Sequence, residues 1–254
     1  YLIKPGAEDP VRIIAHIAAL AEKHGYTKLF VKVKQDRAQP FLDSGYECEA
    51  LWRDAHGGLC FLAKFLDAAR RIPEDLAEIE RVLALARVKA RMPSRRAAAP
   101  IATRLCNAHD APVVCQMLRE VFPTYPFPVF EPERILENMD AGTRYFLAEA
   151  EGAPVAVASA ELDADSGFAE MTDFATLPGW RGRNCALTLL ETMEAAMPPL
   201  GIHTAYTIAR ARSAGMNIAF ARAGYAYAGR LVNNTNISGG IQSMNVWYKT
   251  LCFA

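Results

Sequence analysis

Residues 168–190, FAEMTDFATLPGWRGRNCALTLL, set the strongest constraint on how this chain folds. Apolar and polar residues alternate from Phe168 to Thr176, the period of a half-buried strand. Pro178-Gly179 turns the chain, Arg181-Gly182-Arg183-Asn184 forms a basic loop, and apolar residues recur at helical spacing from Cys185. The first N–H groups of a helix have no partner within it, and the helix dipole favours an anion there. A strand ending in such a loop is a place to hold phosphate. The segment reads as a seat for a pyrophosphate-bearing cofactor.

The rest of the composition narrows the classes. Formal net charge is zero over 254 residues, so no electrostatic footprint for nucleic acid or a membrane surface is present. No apolar run approaches the ~20 residues of a transmembrane helix. The six cysteines (Cys48, Cys60, Cys106, Cys115, Cys185 and Cys252) form no CxxC pair, and the five histidines are scattered. Reduced thiols in a cytoplasmic protein without a metal site are the expectation.

Two regions flank a linker. Leu76, Ile79, Val82, Leu83 and Ala86 recur at helical spacing, with acids crowding the start and Arg87, Lys89 and Arg91 the end. That matches the helix dipole. SRRAAAP, residues 94–100, reads as a connector. The expected division is an N-terminal region at 1–72, a linker at 73–100 and a larger domain at 101–254. In the larger domain the patterns predict a strand at 101–106, a helix from Asp110 (as N-cap) to Phe122, and a helix at Glu133–Asp140. Strands follow at Tyr145–Ala150, Val155–Leu162 and Phe168–Thr176, then a helix at Cys185–Met197. A strand at Thr204–Ala209, a helix at Ala214–Ala223 and a hairpin of Tyr225–Leu231 with Ser243–Tyr248 complete it. The composition of Asn233–Asn236 predicts a turn. Strands alternating with helices before a closing hairpin give an α/β fold with a mixed sheet.

The N-terminal region echoes the end of the chain. GYTKLFVKVK (Gly25–Lys34) resembles GIHTAYTIAR (Gly201–Arg210), FLDSGYECEALW (Phe41–Trp52) resembles FARAGYAYAGRL (Phe220–Leu231), and CFLAKFL (Cys60–Leu66) resembles NVWYKTL (Asn245–Leu251). The helix predicted at Pro10–His24 takes the place of Cys185–Met197. Three matches in one order predict a partial duplication lacking the phosphate loop.

The RGRNCA loop with its strand and helix, together with IARARSAGMNIAFARAGY, resembles the GNAT superfamily of N-acetyltransferases, whose loop is Gln/Arg-x-x-Gly-x-Gly/Ala. Asn184 stands where that family usually has Gly; Asn tolerates the left-handed conformation better than most residues. YTIARARSAGMN, GYAYAGRLVNNTNISGG and SMNVWYK are longer motifs, and they resemble the beta-lysine N-acetyltransferase family over nearly the whole chain. The resemblance implies a GNAT-type, mostly antiparallel sheet flanked by helices, with an N-terminal half-domain of the same kind. It also implies transfer of acetyl from acetyl-CoA to the N6 amine of beta-lysine, giving the compatible solute N6-acetyl-beta-lysine.

The same resemblance distributes roles. Arg181, Gly182, Arg183, Asn184, Cys185 and Ala186 would bind the coenzyme's diphosphate through backbone N–H groups and charge. Phe174, Ala175 and Thr176 would lie along its pantetheine arm, one N–H near Ala175 polarising the thioester carbonyl. Ser213 falls where a cofactor-contacting Asn commonly sits. An alkylammonium must lose a proton before it attacks, at a cost of roughly 4 to 5 kcal/mol at neutral pH. Glu170 is the first choice of base and Asp173 the second. Three apart on a regular strand they would point to opposite faces, so that one alone reaches the acceptor. Phe220 occupies the position where the superfamily often has a Tyr acid, so the CoA thiolate would leave unprotonated or another group would serve, Ser213 or Tyr206 being the substitutes. Arg210, Asn233 and Asn234 are candidates for the acceptor's carboxylate and second amine, and Tyr125 for its alkyl chain. Alternatives are another diamine, amino acid or protein lysine as acceptor, or a CoA-binding regulatory module without turnover. The oligomeric state is open, a homodimer included.

Overall fold

One ten-stranded sheet runs through the computed structural model, which describes residues 9–55, 57–92 and 101–251. The first region contributes α1 (Pro10–His24), β1 (Lys28–Lys34), α2 (Gln39–Asp43), β2 (Glu47–Asp54) and β3 (Gly57–Phe65), and α3 (Leu76–Ala90) follows. Then come β4 (Ala102–Leu105), α4 (Ala111–Val121), α5 (Pro132–Asp140), β5 (Arg144–Ala150), β6 (Ala153–Asp163) and β7 (Phe168–Thr176). The chain ends in α6 (Cys185–Ala196), β8 (Thr204–Arg210), α7 (Ala214–Arg222), β9 (Ala226–Ile237) and β10 (Gly240–Thr250). The strand order is β1-β3-β2-β9-β10-β8-β7-β6-β5-β4, and every pairing is antiparallel except β7 with β8. The expected mixed, mostly antiparallel α/β sheet is the one observed.

The helices begin and end where local chemistry dictates. Asp9 caps α1 by accepting from Val11 N–H at 3.0 Å, Pro10 supplies a preset φ, and Gly25 closes the helix at φ 64°. Asp110 does not cap α4. Its carboxylate takes the Asn107 N–H at 2.8 Å and both Arg104 nitrogens at 2.8 Å, and Asn107 caps the short turn that precedes the helix. The linker helix α3 packs Leu83 and Ala86 into the same core as Leu189, Met193 and Phe220. The SRRAAAP connector lies outside the described residues.

The two regions meet edge to edge. The first half reads β1-β3-β2 toward the joint and the second β8-β10-β9, and they pair at Ala50↔Gly229. These two residues hold the same position in the matched stretches Phe41–Trp52 and Phe220–Leu231. Local details also correspond across the joint. Phe41 packs edge-on against Tyr46 at 5.5 Å, and Phe220 against Tyr225 at 5.0 Å. Lys64 Nζ donates to Ser44 O and Lys249 Nζ to Ala223 O, both at 2.8 Å.

Strand twist accumulates across so many strands, and the sheet curls on itself. Phe30 of β1, Trp52 of β2, Phe61 of β3, Phe168 of β7, Tyr206 of β8 and Val246 of β10 therefore share one buried cluster, although β1 and β7 stand far apart in strand order. Alternation along β1 sends Leu29, Val31 and Val33 to the α1 side and leaves Phe30 and Lys32 facing inward.

The Asn233–Asn236 run is strand, not turn; the chain reverses at Ser238-Gly239. Its composition has a different cause. The β9–β10 register shifts between Gln242↔Thr235 and Met244↔Leu231, and Asn233 adopts φ 44° within that bulge. Asn suits a left-handed residue in a bulge as it suits one in a turn.

Candidate active site

β7 and β8 pair only from Phe168↔Thr204 to Glu170↔Tyr206, and then the parallel strands diverge. A cavity of about 980 Å³ opens between them, lined by Phe174, Thr176, Arg181, Gly182, Asn184, Cys185 and Ala186 on one side and by Arg210 and Ser213 on the other. Gly182 (φ 78°) and Asn184 (φ 65°) hold the loop in left-handed turns that aim the start of α6 at this space. The ladder of α6 begins with Thr188 N–H to Asn184 O at 3.0 Å, so the amides of 185–187 precede it. Arg181 lines the cavity and donates to Thr176 O at 3.3 Å. Arg183 stands elsewhere, its guanidinium 4.6 Å above the Trp180 ring, and Ala175 is fully buried behind the strand among Leu118, Tyr145 and Val157. Loop amides, a basic side chain and an open strand edge together fit a diphosphate followed by an amide-bearing arm.

Beyond this cleft lie both acids. Opposite Val157 and Ser159 of β6, β7 bulges, with Asp173 at φ 54°. The bulge reverses the alternation. Before it Phe168 faces the inner cluster and Met171 the α6 core; after it Phe174 packs on Phe220 at 5.5 Å while Ala175 faces α4. Glu170 and Asp173 thus line the same cavity, contrary to the opposite faces that a regular strand would give.

Their surroundings differ. Asp173 is 8% exposed; it accepts from Ser159 Oγ at 2.6 Å and from the Tyr125 hydroxyl. Burial raises its pKa above the usual carboxylate value, against the lowering effect of those two donors. Glu170 Oε2 accepts from Lys32 Nζ at 3.1 Å and from Tyr206 Oη at 2.9 Å, and Lys32 Nζ also donates to Tyr206 Oη at 2.6 Å. Burial, then the Glu170 charge, pushes the Tyr206 pKa well up, so its hydroxyl stays protonated.

The remaining candidates separate. Tyr125, Arg210, Ser213 and Asn234 line the cavity. Burial lowers the Arg210 pKa from its usual value. Tyr206 is 5% exposed and sits behind Glu170 rather than on the cavity wall. Asn233 points away: its amide donates to Arg70 O at 3.0 Å and Ile72 O at 3.1 Å, tying β9 to the first region. Phe220 is fully buried against Tyr225 and Phe174, so no hydroxyl stands at that position. Lys32, Ser159 and Phe30 escape a sequence reading. For Lys32 a signal existed, because it occupies the place that Ile208 holds in the matched strand, an inward position.

Residues 112–225 match the acetyltransferase (GNAT) family. The beta-lysine N(6)-acetyltransferase of Methanococcus maripaludis is 35% identical over 251 residues, 98% of this chain and 91% of that protein. The N-acetyltransferase YodP of Bacillus subtilis is 32% identical over 94% of this chain and 88% of its own length. In fold, the yncA protein of Salmonella typhimurium, solved with its cofactor acetyl-CoA, superposes with a TM-score of 0.53 at 14% identity, covering 61% of this chain and 96% of that one. Sequence similarity that runs the length of the chain, joined to a cleft already shaped for the coenzyme, places this protein in the GNAT family, among the acetyl-CoA-dependent N-acetyltransferases.

Proposed function

We propose that the protein acetylates the N6 amine of beta-lysine, with Asp173 as the base. The observation that carries the reading is the bulge of β7, which brings a buried carboxylate to the inner end of the cofactor cleft. The full-length similarity to a beta-lysine acetyltransferase supports the acceptor. Acetyl-CoA supplies the acetyl group as a thioester. The amides of Gly182 to Ala186 and the Arg181 side chain would hold its diphosphate, and the edge of β7 at Phe174–Thr176 its arm. Asp173 would take the ammonium proton, and its raised pKa makes it a stronger base than an exposed carboxylate. The freed amine would then attack the thioester carbonyl, the C–S bond would break, and CoA would leave as the thiolate, which the second amine proton neutralises. Ser159 and Tyr125 fix the orientation of Asp173. Glu170 already accepts from Lys32 Nζ and Tyr206 Oη on one oxygen, so its place is to hold a partner rather than to act on the amine.

Incubation with acetyl-CoA and beta-lysine, followed by mass spectrometry with fragmentation, should give a single product acetylated at N6. Lysine, ornithine and a lysine-containing peptide should react more slowly. Equal rates on the peptide would shift the reading to a protein acetyltransferase. The loop offers a second check. Asn184→Val puts a β-branched residue at φ 65°, costing about 1–2 kcal/mol. It should weaken acetyl-CoA binding by about tenfold in calorimetry, whereas Asn184→Gly should bind as the wild type does.

We infer as well that residues 1–72 are a repeated half of the 101–254 domain. The mirrored strand order, the Ala50↔Gly229 joint and the paired Phe–Tyr and Lys contacts support this. The half without a loop would serve as a wall of the acceptor pocket.

A further inference from the structure

The first region places a charge in the site. Lys32 reaches the cavity from β1 because the sheet curls far enough to bring β1 over β7 and β8. Its ammonium, Glu170 Oε2 and Tyr206 Oη form a closed triangle of 3.1, 2.6 and 2.9 Å, and Nζ also lies 5.1 Å from the Tyr206 ring centroid. Lys32 and Glu170 are 10% and 14% exposed.

A second buried ion pair shows what a structural one looks like here. Lys28 and Glu49, 2.7 Å apart and 3% and 5% exposed, also bind the Val232 carbonyl and N–H at 2.6 and 2.8 Å, and neither lines the cavity. That pair locks β1 and β2 to β9 with backbone bonds. Lys32 and Glu170 bind no backbone group among the hydrogen bonds described above, and both face the cavity. Apolar residues would serve as well for packing alone, since a buried ion pair rarely stabilises a fold more than they do.

An ion pair at a cavity wall is the electrostatic complement of a zwitterion. We propose that Lys32 and Glu170 are the receptor for the acceptor's amino-acid head: Lys32 takes the carboxylate and Glu170 the neighbouring ammonium. Binding exchanges one ion pair for two and leaves the charge of the site unchanged. With the bulge, β7 advances little more than two regular steps from Glu170 to Asp173, roughly 7 Å, comparable to the extended chain between the two amines of beta-lysine. The head at Glu170 therefore leaves the N6 amine near Asp173. This rests on the beta-lysine reading and adds to it that specificity comes from the region without a cofactor loop. Lys32 and Glu170 are positioning residues, distinct from the base.

The test compares beta-lysine with its carboxamide, which keeps both amines and loses the carboxylate charge, on wild type and on Lys32→Met. The wild type should favour the acid by about tenfold or more in kcat/KM, the difference residing in KM. Lys32→Met should bring the ratio close to one, and Lys32→Arg should retain most of it. Glu170→Gln should raise KM for both compounds with kcat at saturation little changed. Loss of folding cancels in the acid-to-amide ratio. If Lys32→Met does not fold, the wild-type ratio and Lys32→Arg still decide. A wild type indifferent to the carboxylate, or a Lys32→Met enzyme with an undiminished ratio, overturns the proposal. A wild type that acetylates neither compound overturns the beta-lysine reading instead.

Discussion

Asp173→Asn is expected to lower kcat by roughly 10²–10⁴-fold, the usual worth of a general base, while the fold becomes no less stable at neutral pH. The two halves of this result have one cause. Burial raises the Asp173 pKa, so proton uptake favours the folded state. That contribution is complete below the ordinary carboxylate pKa and is lost as pH rises through the raised one. At neutral pH the folded protein bears the cost of a buried anion, which the amide removes. Thermal unfolding should therefore give an equal or higher Tm for Asp173→Asn at pH 7, with the advantage shrinking on acidification. Acetyl-CoA affinity should be unchanged. Wild-type kcat/KM should fall on acidification at a higher pH than an ordinary carboxylate would dictate. A variant that loses Tm and keeps kcat would make Asp173 a structural residue and return the base to Glu170.

Gly229→Ala should destabilise the protein by roughly 2–4 kcal/mol, from overpacking together with strain at positive φ. At Gly229, φ 151°, an added Cβ would lie 2.3 Å from Glu49 O and 2.6 Å from Ala50 Cα, both backbone atoms of the facing strand. Gly224 is the control. Its φ is 86°, but nothing lies within 4 Å of the added Cβ, so Gly224→Ala carries the backbone cost alone. Urea unfolding of the two variants separates close packing at the joint from local strain. Because Ala50↔Gly229 couples the halves of the sheet, the first variant should also raise KM for the amine while leaving coenzyme affinity intact. Equal midpoints for both variants would mean that the β2–β9 contact bears little of the load.

Much of this was legible in the residues. The period of Phe168–Thr176, the turn and the basic loop read directly as strand, loop and helix, because hydrophobic alternation and the open amides of a helix start are local properties. Left-handed Asn184 was legible for the same reason. Asp110 misled because an Asp before a helix is a good cap in isolation, and Arg104 with the Asn107 N–H had already claimed it. The Asn233–Asn236 run misled because bulges and turns ask for the same residue.

The succession of elements, the cofactor loop and the ordered echo between the two regions are written in the residues, because all of them arise from neighbours along the chain. Which acids share a face, and which lysine joins them, follows from the folded sheet. One extra residue in β7 inverts the side-chain alternation, and the summed twist of the seven strands from β1 to β7 carries Lys32 across to Glu170. Both effects depend on what a strand meets in space, which periodicity does not record.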